Sequence, residues 1–588
     1  MKSTLFNSLN NQQKEAVQYT KGPSVIMAGA GSGKTRVLVY KVLNLIENEK
    51  ADPGQIVMIT FTNKAANEMK ERVRLKLGYI GTFHSWCAQI LRREGPHIGI
   101  DHNFVIYDDD DQQSLIKSLL KKIDVGKLTP GYLLNRISAA KNQLITPDRY
   151  LELFSDHQAA EAAKIYAAYQ KALTKNKAVD FDDLIMKTVE LFVKHPLLLA
   201  KYQDRYRYLL VDEFQDTNYA QYTLARLLGE KYRQVTAVGD FSQSIYSWRG
   251  ADIRNLEKFK EDFPETKIFH LEENYRSTQN ILDFAYKVIS KNQMHPILDL
   301  FTRNIKGEEI TIYEAENEEY EAVYVASQIK ELVSHEDYSQ VAVLYRTNAQ
   351  SRVIEETFLH YGLPYVLVGG TRFYERKEIK DVLSYLRLMV NPEDEVAIER
   401  IKKIGKRKWA QFADYCKKEK KTVKEKNTDQ LMEEILQATG YLKLYNPEIE
   451  EDYARLENIK ELKSVALTFP KLNDFLEQVA LVEAEYSEGE KKARGKDGVR
   501  LMTLHQAKGL EFAGVFIVGV EEGILPHARS QDDIFQLEEE RRLFYVGITR
   551  AKRKLYVTFA RRRFIFGRRG EAMRSRFIGE EDHFADIV

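Results

Sequence analysis

Residues Gly29-Ala30-Gly31-Ser32-Gly33-Lys34-Thr35 follow the pattern G-x-x-x-x-G-K-[ST], directly after the apolar run Ser24-Val25-Ile26-Met27-Ala28. The next residues, Arg36-Val37-Leu38-Val39-Tyr40, suit the opening of a helix. Strand, glycine loop and helix in that order predict a phosphate-binding loop. Glycines let successive backbone N–H groups turn toward anionic oxygens, and the helix N-terminus adds a favourable dipole. In such a loop Lys34 reaches the β- and γ-phosphates and the Thr35 hydroxyl holds Mg2+. The predicted nucleotide-binding stretch is Ala28, Gly29, Ala30, Gly31, Ser32, Gly33, Lys34, Thr35 and Arg36.

Other short apolar runs end in polar or glycine-containing loops: 55–60, Tyr208-Leu209-Leu210-Val211 and Val235-Thr236-Ala237-Val238. Runs of this kind, alternating with helical patterns, predict parallel strands buried between helices, with ligand chemistry beyond their carboxyl ends. Between residues 89 and 205 the pattern turns helical (111–122, 159–173, 182–193). Strands return at 309–313, 341–345 and 365–368, stop near Asn391-Pro392, and resume at 499–503 and 515–518. The intervening stretch is helical and rich in Lys and Glu, and 488–497 reads as a link. The expectation is an α/β protein with two parallel-sheet domains, each interrupted by a helical insertion.

At 588 residues the chain exceeds a single core. With 44% hydrophobic and 30% charged residues it reads as globular, and no apolar run nears the ~20 residues of a membrane span. No secretion signal opens it, so a cytoplasmic location is expected. Two cysteines, Cys87 and Cys416, exclude a disulfide framework and a Cys-based metal centre. Net charge is only +1, yet Arg541 to Arg576 holds thirteen Lys/Arg against the single acid Glu571. That stretch reads equally as a polyanion-binding surface or as a solvated face balanced elsewhere.

The run Tyr208–Val211 ends in Asp212-Glu213. Beside a phosphate loop, Asp212 can help hold Mg2+ and Glu213 can orient or deprotonate the attacking water. After the next predicted strand comes 238–250, in which Gln243 stands where an amide can sense the γ-phosphate. Tyr246, Trp248 and Arg249 follow as an aromatic–basic cluster, and aromatic faces stack on unpaired bases without sequence preference. Arg276 and Arg550, both placed in the second strand-rich zone, are candidate arginine fingers; a surface ion pair is the competing reading of each.

Taken in order, GAGSGKT, TFTNKAA (60–66), GTFH (81–84), VDEFQDT (211–217), QSIYSWRGA (243–251), NYRST (274–278), TLHQAKGLEF (503–512) and 546–552 resemble the superfamily 1A DNA helicases of the UvrD/PcrA/Rep type. LNNQQKEAV (9–17) resembles that family's Q motif, which makes Gln13 the adenine reader. The resemblance covers nearly the whole chain. It implies two RecA-like domains with ATP between them, 1A (1–88 and 206–270) and 2A (271–390 and 499–588). It also implies insertions 1B (89–205) and 2B (391–498). Lys34, Asp212, Glu213, Gln243, Arg276 and Arg550 then take catalytic roles, and Thr35 and Asp212 the Mg2+. Tyr275 stacks on adenine and Glu511 lies near the nucleotide, while Phe61, Thr62, His84, Tyr246, Trp248, Arg249 and His505 contact single-stranded DNA.

The implied activity is ATP-driven 3′→5′ movement on single-stranded DNA and unwinding at single-/double-strand junctions. A monomer or weak dimer is expected, with repair or replication proteins as partners. Phe241-Ser242 depart from the acid or proline usual after Gly239-Asp240. The second insertion looks short, and Ile401 to Arg407 only loosely resembles the family's Gly-Ile-Gly duplex turn. With Val588 as its last residue, neither the long tail nor the nuclease domain of some members is expected. The short insertion raises the alternative of a translocase that strips proteins and unwinds poorly alone. An ATP-gated scaffold without turnover is the reading from another class.

Overall fold

A computed structural model describes residues 6–124, 128–419, 426–493, 497–565 and 568–579. Contacts divide the chain into two units: Met1–Arg276 with Asn292–Asn304, and Ser277–Lys291 with Ile305–Val588.

The first eight strands all lie in the first unit: β1 (Ser24–Ala28), β2 (Ile56–Thr60), β3 (Tyr79–Thr82), β4 (Val105–Tyr107), β5 (Ala178–Asp180), β6 (Tyr208–Val211), β7 (Val235–Gly239) and β8 (Lys267–Leu271). Six of them form a wholly parallel sheet in the order β3-β2-β6-β7-β1-β8. Every residue of β1, β2 and β7 is buried, as expected for strands covered on both faces. Their alternation sorts side chains into two cores. Val25, Met27, Val57, Ile59, Leu209 and Val211 face Trp86, Ile90 and Leu224 of the helices on one side. Ile26, Ala28, Ile56, Met58 and Leu210 face Val37, Leu38, Val42 and Met69 on the other. The order brings the ends of β6, β7 and β1 side by side, so the residues after them share one edge.

The helical part of this unit packs helices Asp109–Leu120, Pro130–Asn142 and Ala159–Lys175 around Ile116, Leu133, Ile137, Ile165, Tyr166 and Tyr169. The short parallel pair β4–β5 lies in it. Two two-residue strands, β9 (Glu273–Asn274) and β10 (Phe301–Thr302), pair with each other. They keep Asn274, Tyr275 and Arg276 in the first unit, whereas the sequence pattern assigned Arg276 to the second zone.

The second unit holds β11 (Thr311–Ala315), β12 (Val341–Tyr345), β13 (Tyr365–Leu367), β14 (Val499–Thr503), β15 (Phe512–Ile517) and β16 (Ala551–Ala560) in the order β11-β16-β15-β12-β14-β13, again all parallel. The hairpin β17 (Arg562–Ile565) and β18 (Arg568–Glu571) follows. The strand expected at 309–313 begins two residues later. The helical part includes Lys377–Val390, Glu395–Ile404, Thr428–Thr439, Glu450–Thr468 and Leu472–Ala493. Its core already draws in Phe373, Ile379, Tyr385 and Leu386, ahead of the expected start at Asn391. Of the expected link 488–497, residues up to Ala493 are helical and 494–496 lie outside the described residues. Among the described residues no helix is long and apolar enough to cross a membrane.

Candidate functional site

The loop after β1 turns through Gly31 (φ 65°) and Gly33 (φ 85°), left-handed conformations that glycine adopts without strain. Gly33 caps the helix Lys34–Glu47. Ser32 closes the loop on itself, its N–H and Oγ both donating to Gly29 O at 3.2 and 2.8 Å. There is no room to spare. A Cβ on Gly29 would lie 2.3 Å from Leu300, and one on Gly31 would lie 2.7 Å from Asn274 Nδ2. Asn274 donates that Nδ2 to Ala30 O at 2.6 Å, and Tyr275 N donates to Gly31 O at 3.0 Å. Arg276 is thereby brought against the loop, its Cβ 2.8 Å from the space a Gly31 side chain would fill.

Gln13 braces the other side. It is buried, donates Nε2 to Ser32 O at 2.9 Å, and accepts from Asn10 N in a reciprocal capping box. A carboxamide has two N–H groups and two lone pairs, and these two bonds use one of each. Asn10 also donates to the Tyr275 hydroxyl at 2.8 Å and to Glu273 at 2.9 Å. The Tyr275 ring, 47% exposed, is thus held next to the capping box with a free face. Arg36 ties the loop helix to the N-terminal segment through Ser8 O.

At the end of β6 the chain enters a left-handed turn at Glu213 (φ 50°), an uncommon conformation for a non-glycine residue and one associated with functional sites. Glu213 Oε2 lies 3.8 Å from Lys34 Nζ. Asp212 is buried, and its Oδ1 has no hydrogen-bond partner. Burial pushes its carboxyl up to about 7, Glu213 adds to the shift, and Lys34 opposes it. A buried carboxylate oxygen without a donor fits a cation ligand. Among the described residues no three acidic, His or Cys side chains form a protein-only metal cage. That donor set suits Mg2+, which takes one or two protein oxygens and completes its shell from nucleotide phosphate and water. Thr35 is half-buried at the start of the loop helix, where its hydroxyl could supply a second oxygen.

After β7, Asp240 accepts from Ser242 N at 3.1 Å and from Gln243 Nε2 at 2.6 Å. Its carboxyl is raised by burial, against the pull of Lys34 and the Gln243 bond. The departure at Phe241-Ser242 is accommodated locally. Phe241 is buried, and Ser242 Oγ shares a 2.9 Å hydrogen bond with His295 Nε2. Gln215, Asn274 and Asn10 escaped the sequence reading as site builders, although all three stand inside the motifs quoted. The Asn10-x-x-Gln13 spacing carried a readable capping signal.

The same edge carries an aromatic ladder. Phe61 stacks on Tyr246, Tyr246 meets Trp248 edge-on, and the Arg249 guanidinium lies 4.5 Å over the Trp248 ring. Thr62 caps the helix Asn63–Val73 through Ala65 N. His84 packs edge-on against the exposed Phe181, and burial lowers its pKa to about 4, so it is a neutral ring. Trp248 and Phe181 expose nearly half their surface, as a stacking platform must.

His505, Glu511 and Arg550 belong to the second unit. The turn after β14 is pinned by Gln506, which donates to Gly369 O and whose Oε1 accepts from Thr503 N. Glu511 pairs with Lys552 at 2.8 Å. Arg550 is 1% exposed, and its guanidinium donates to Val546 O, Leu510 O and Thr549 Oγ1. The basic stretch is largely neutralised within this unit. Lys554 pairs with Glu308, Arg561 with Glu314, Arg553 with Glu336, Arg576 with Glu522, and Arg563 with Glu321 and Glu521. These pairs favour the balanced reading of the stretch.

Comparison with known proteins matches residues 9–264 to the UvrD/REP helicase N-terminal domain. The UvrD-like helicase C-terminal domain matches in two overlapping pieces, 269–426 and 403–562. The chain is 43% identical to the ATP-dependent DNA helicase PcrA of Staphylococcus epidermidis over 640 aligned positions, covering 98% of this chain and 87% of that protein. It is 44% identical to the protein of the same name from Bacillus subtilis over 634 positions, covering 98% and 86%. Against that of Staphylococcus aureus the identity is again 43%, with 98% and 87% covered.

Proposed function

This chain belongs to the UvrD/REP helicase family, and from that premise we propose that it is an ATP-dependent DNA helicase that moves 3′→5′ on single-stranded DNA. Repair, recombination or replication is its setting. The observation that carries the reading is the shared edge of the first sheet. The phosphate loop, Asp212-Glu213 and Gln243 follow neighbouring strands, and the Phe61–Tyr246–Trp248–Arg249 ladder lies on the same unit.

In this reading the loop N–H groups and Lys34 bind the phosphates, Tyr275 stacks on the adenine, and Gln13 reads its edge. Thr35 and Asp212 would hold Mg2+, which screens phosphate charge when bound. Glu213 orients and deprotonates the attacking water. Gln243 senses the γ-phosphate. Arg276 and Arg550 supply positive charge to the transferring phosphoryl group. The ladder, with Thr62, His84 and His505, grips the strand.

The test is steady-state ATP hydrolysis with oligo-dT, oligo-U, blunt duplex or no nucleic acid. Strong stimulation by oligo-dT supports a single-strand DNA motor, and no stimulation overturns it. Unwinding of 3′-tailed but not 5′-tailed duplex then supports the direction.

A second reading, a translocase that clears proteins and unwinds poorly alone, has its own support. Alignments to the relatives run over 640 and 634 positions against 588 residues, so the relatives carry segments without counterpart here. The C-terminal match breaks and overlaps at 403–426, inside the second helical part. Single-turnover unwinding of a 3′-tailed duplex by the monomer removes this reading.

A further inference from the structure

The five residues from the hydrolytic carboxylate onward, Glu213 to Thr217, hold both stems of the aromatic loop. Gln215 is 1% exposed, and its amide faces two ways. Nε2 donates to Glu213 Oε2 at 2.6 Å, with a longer approach to Asp216 Oδ2 at 3.4 Å. Oε1 accepts from Asp240 N at 3.1 Å. The fit is close, since a Cβ on Gly239 would lie 2.4 Å from that Oε1. The Gln215 backbone carbonyl accepts from Ser244 Oγ at 3.2 Å, two residues ahead of Tyr246. On the far side of the loop, Thr217 O accepts from Asp252 N at 3.0 Å and from Asn255 Nδ2 at 2.8 Å.

We infer that Gln215 is a positioning residue that couples the single-strand loop 246–250 to the Glu213 carboxylate. The inference rests on the helicase reading of the site. A buried amide that donates to a carboxylate and accepts from a backbone N–H fixes the two groups relative to each other, because losing either bond leaves a buried polar group unpaired. A strand stacked on Tyr246 and Trp248 pulls on stems that the same segment holds. Displacement there is passed through Asp240 N and the Gln215 side chain to Glu213 Oε2.

The experiment measures ATP turnover with and without oligo-dT, the KM for ATP, and nucleotide-free oligo-dT affinity for wild type, Gln215→Met and Gln215→Asn. Met matches the volume without the amide. Asn keeps an amide but is one methylene short of spanning both partners. The expected result is a stimulation ratio at least about tenfold lower in both variants, with KM and oligo-dT affinity within about threefold of wild type, since small misplacements of a catalytic group cost rate rather than binding. An unchanged ratio overturns the coupling role. A fall in ratio together with a raised KM and a weakened oligo-dT affinity also overturns it, because that is the mark of a merely structural residue. Should the Met variant not fold, the Asn variant decides on the same readouts. A wild type that oligo-dT does not stimulate refutes the helicase reading and is recognised before any variant is compared.

Discussion

Phe61 and Tyr246 stack with ring centroids 5.7 Å apart and planes 9° from parallel. They come from loops after β2 and β7, which are not neighbours in the sheet, so the pair joins two separate loops into one surface. Base–aromatic stacking contributes about 1–3 kcal/mol per base. Tyr246→Ala is therefore expected to weaken nucleotide-free oligo-dT binding by roughly tenfold or more, read by fluorescence anisotropy. Phe61→Ala in the same background should cost less than it does alone, because its stacking partner is already gone. Fully additive losses would mean that the rings act independently.

Glu213 sits in a left-handed turn with its carboxylate 3.8 Å from Lys34 Nζ. Gln at this position keeps the shape and removes the base. Glu213→Gln is expected to lower DNA-stimulated kcat by about 100-fold or more, the usual contribution of a general base. ATP affinity, read by equilibrium binding, should stay within a few-fold. Substantial residual turnover would assign the base to another group.

The parts of this fold that the sequence made legible are those whose burial is symmetric. Ser24–Ala28, Tyr208–Val211 and Val341–Tyr345 are apolar runs covered on both faces, and each is a central strand. The edge strand Thr311–Ala315 is only partly buried, and its expected position was two residues off. β4 and β5 are three residues each, too short to leave a period. The basic stretch stayed open to two readings because its partners are distant in sequence: Glu308, Glu314 and Glu336 stand more than 200 residues before the basic residues they pair with. Motif strings located Lys34, Asp212 and Glu213. They could not reveal that Gln215 turns back onto Glu213, because that follows from the turn and not from composition.

Lys141 is fully buried between Asp180 Oδ2 at 2.6 Å and Asp183 Oδ1 at 3.0 Å. Asp180 also caps the helix Phe181–Lys194 and accepts from the Tyr169 hydroxyl. This cluster ties the helix Pro130–Asn142 to one that packs on the main sheet. Removing only the cation strands two buried carboxylates, a loss of about 3–5 kcal/mol. Lys141→Met is expected to lower the thermal midpoint of the first unit and to speed proteolysis within 130–194. A cost under about 1 kcal/mol would mean that water reaches the cluster.

Lys41 has no carboxylate partner in its hydrogen-bond set: its Nζ donates to Ala16 O at 3.1 Å and Ser24 Oγ at 3.3 Å. Burial pushes its ammonium down from 10.5 to about 7. The unfolded chain keeps this proton to about pH 10.4, the folded one only to about 7. Between those values the unfolded state binds more protons, so stability from this group rises with pH. Below about 7 both states are charged and the full cost of the buried ammonium applies; above about 10.5 both are neutral and the cost is gone. Methionine at this position cannot titrate. The advantage of Lys41→Met over wild type in thermal midpoint is therefore expected to be largest at or below pH 7. It should shrink steadily toward pH 10, by at most about 1.4 kcal/mol per pH unit. A difference that stays flat from pH 6 to 10 would show that Lys41 keeps its proton in the folded state, through water reaching Nζ between the Asn11–Gln18 helix and β1.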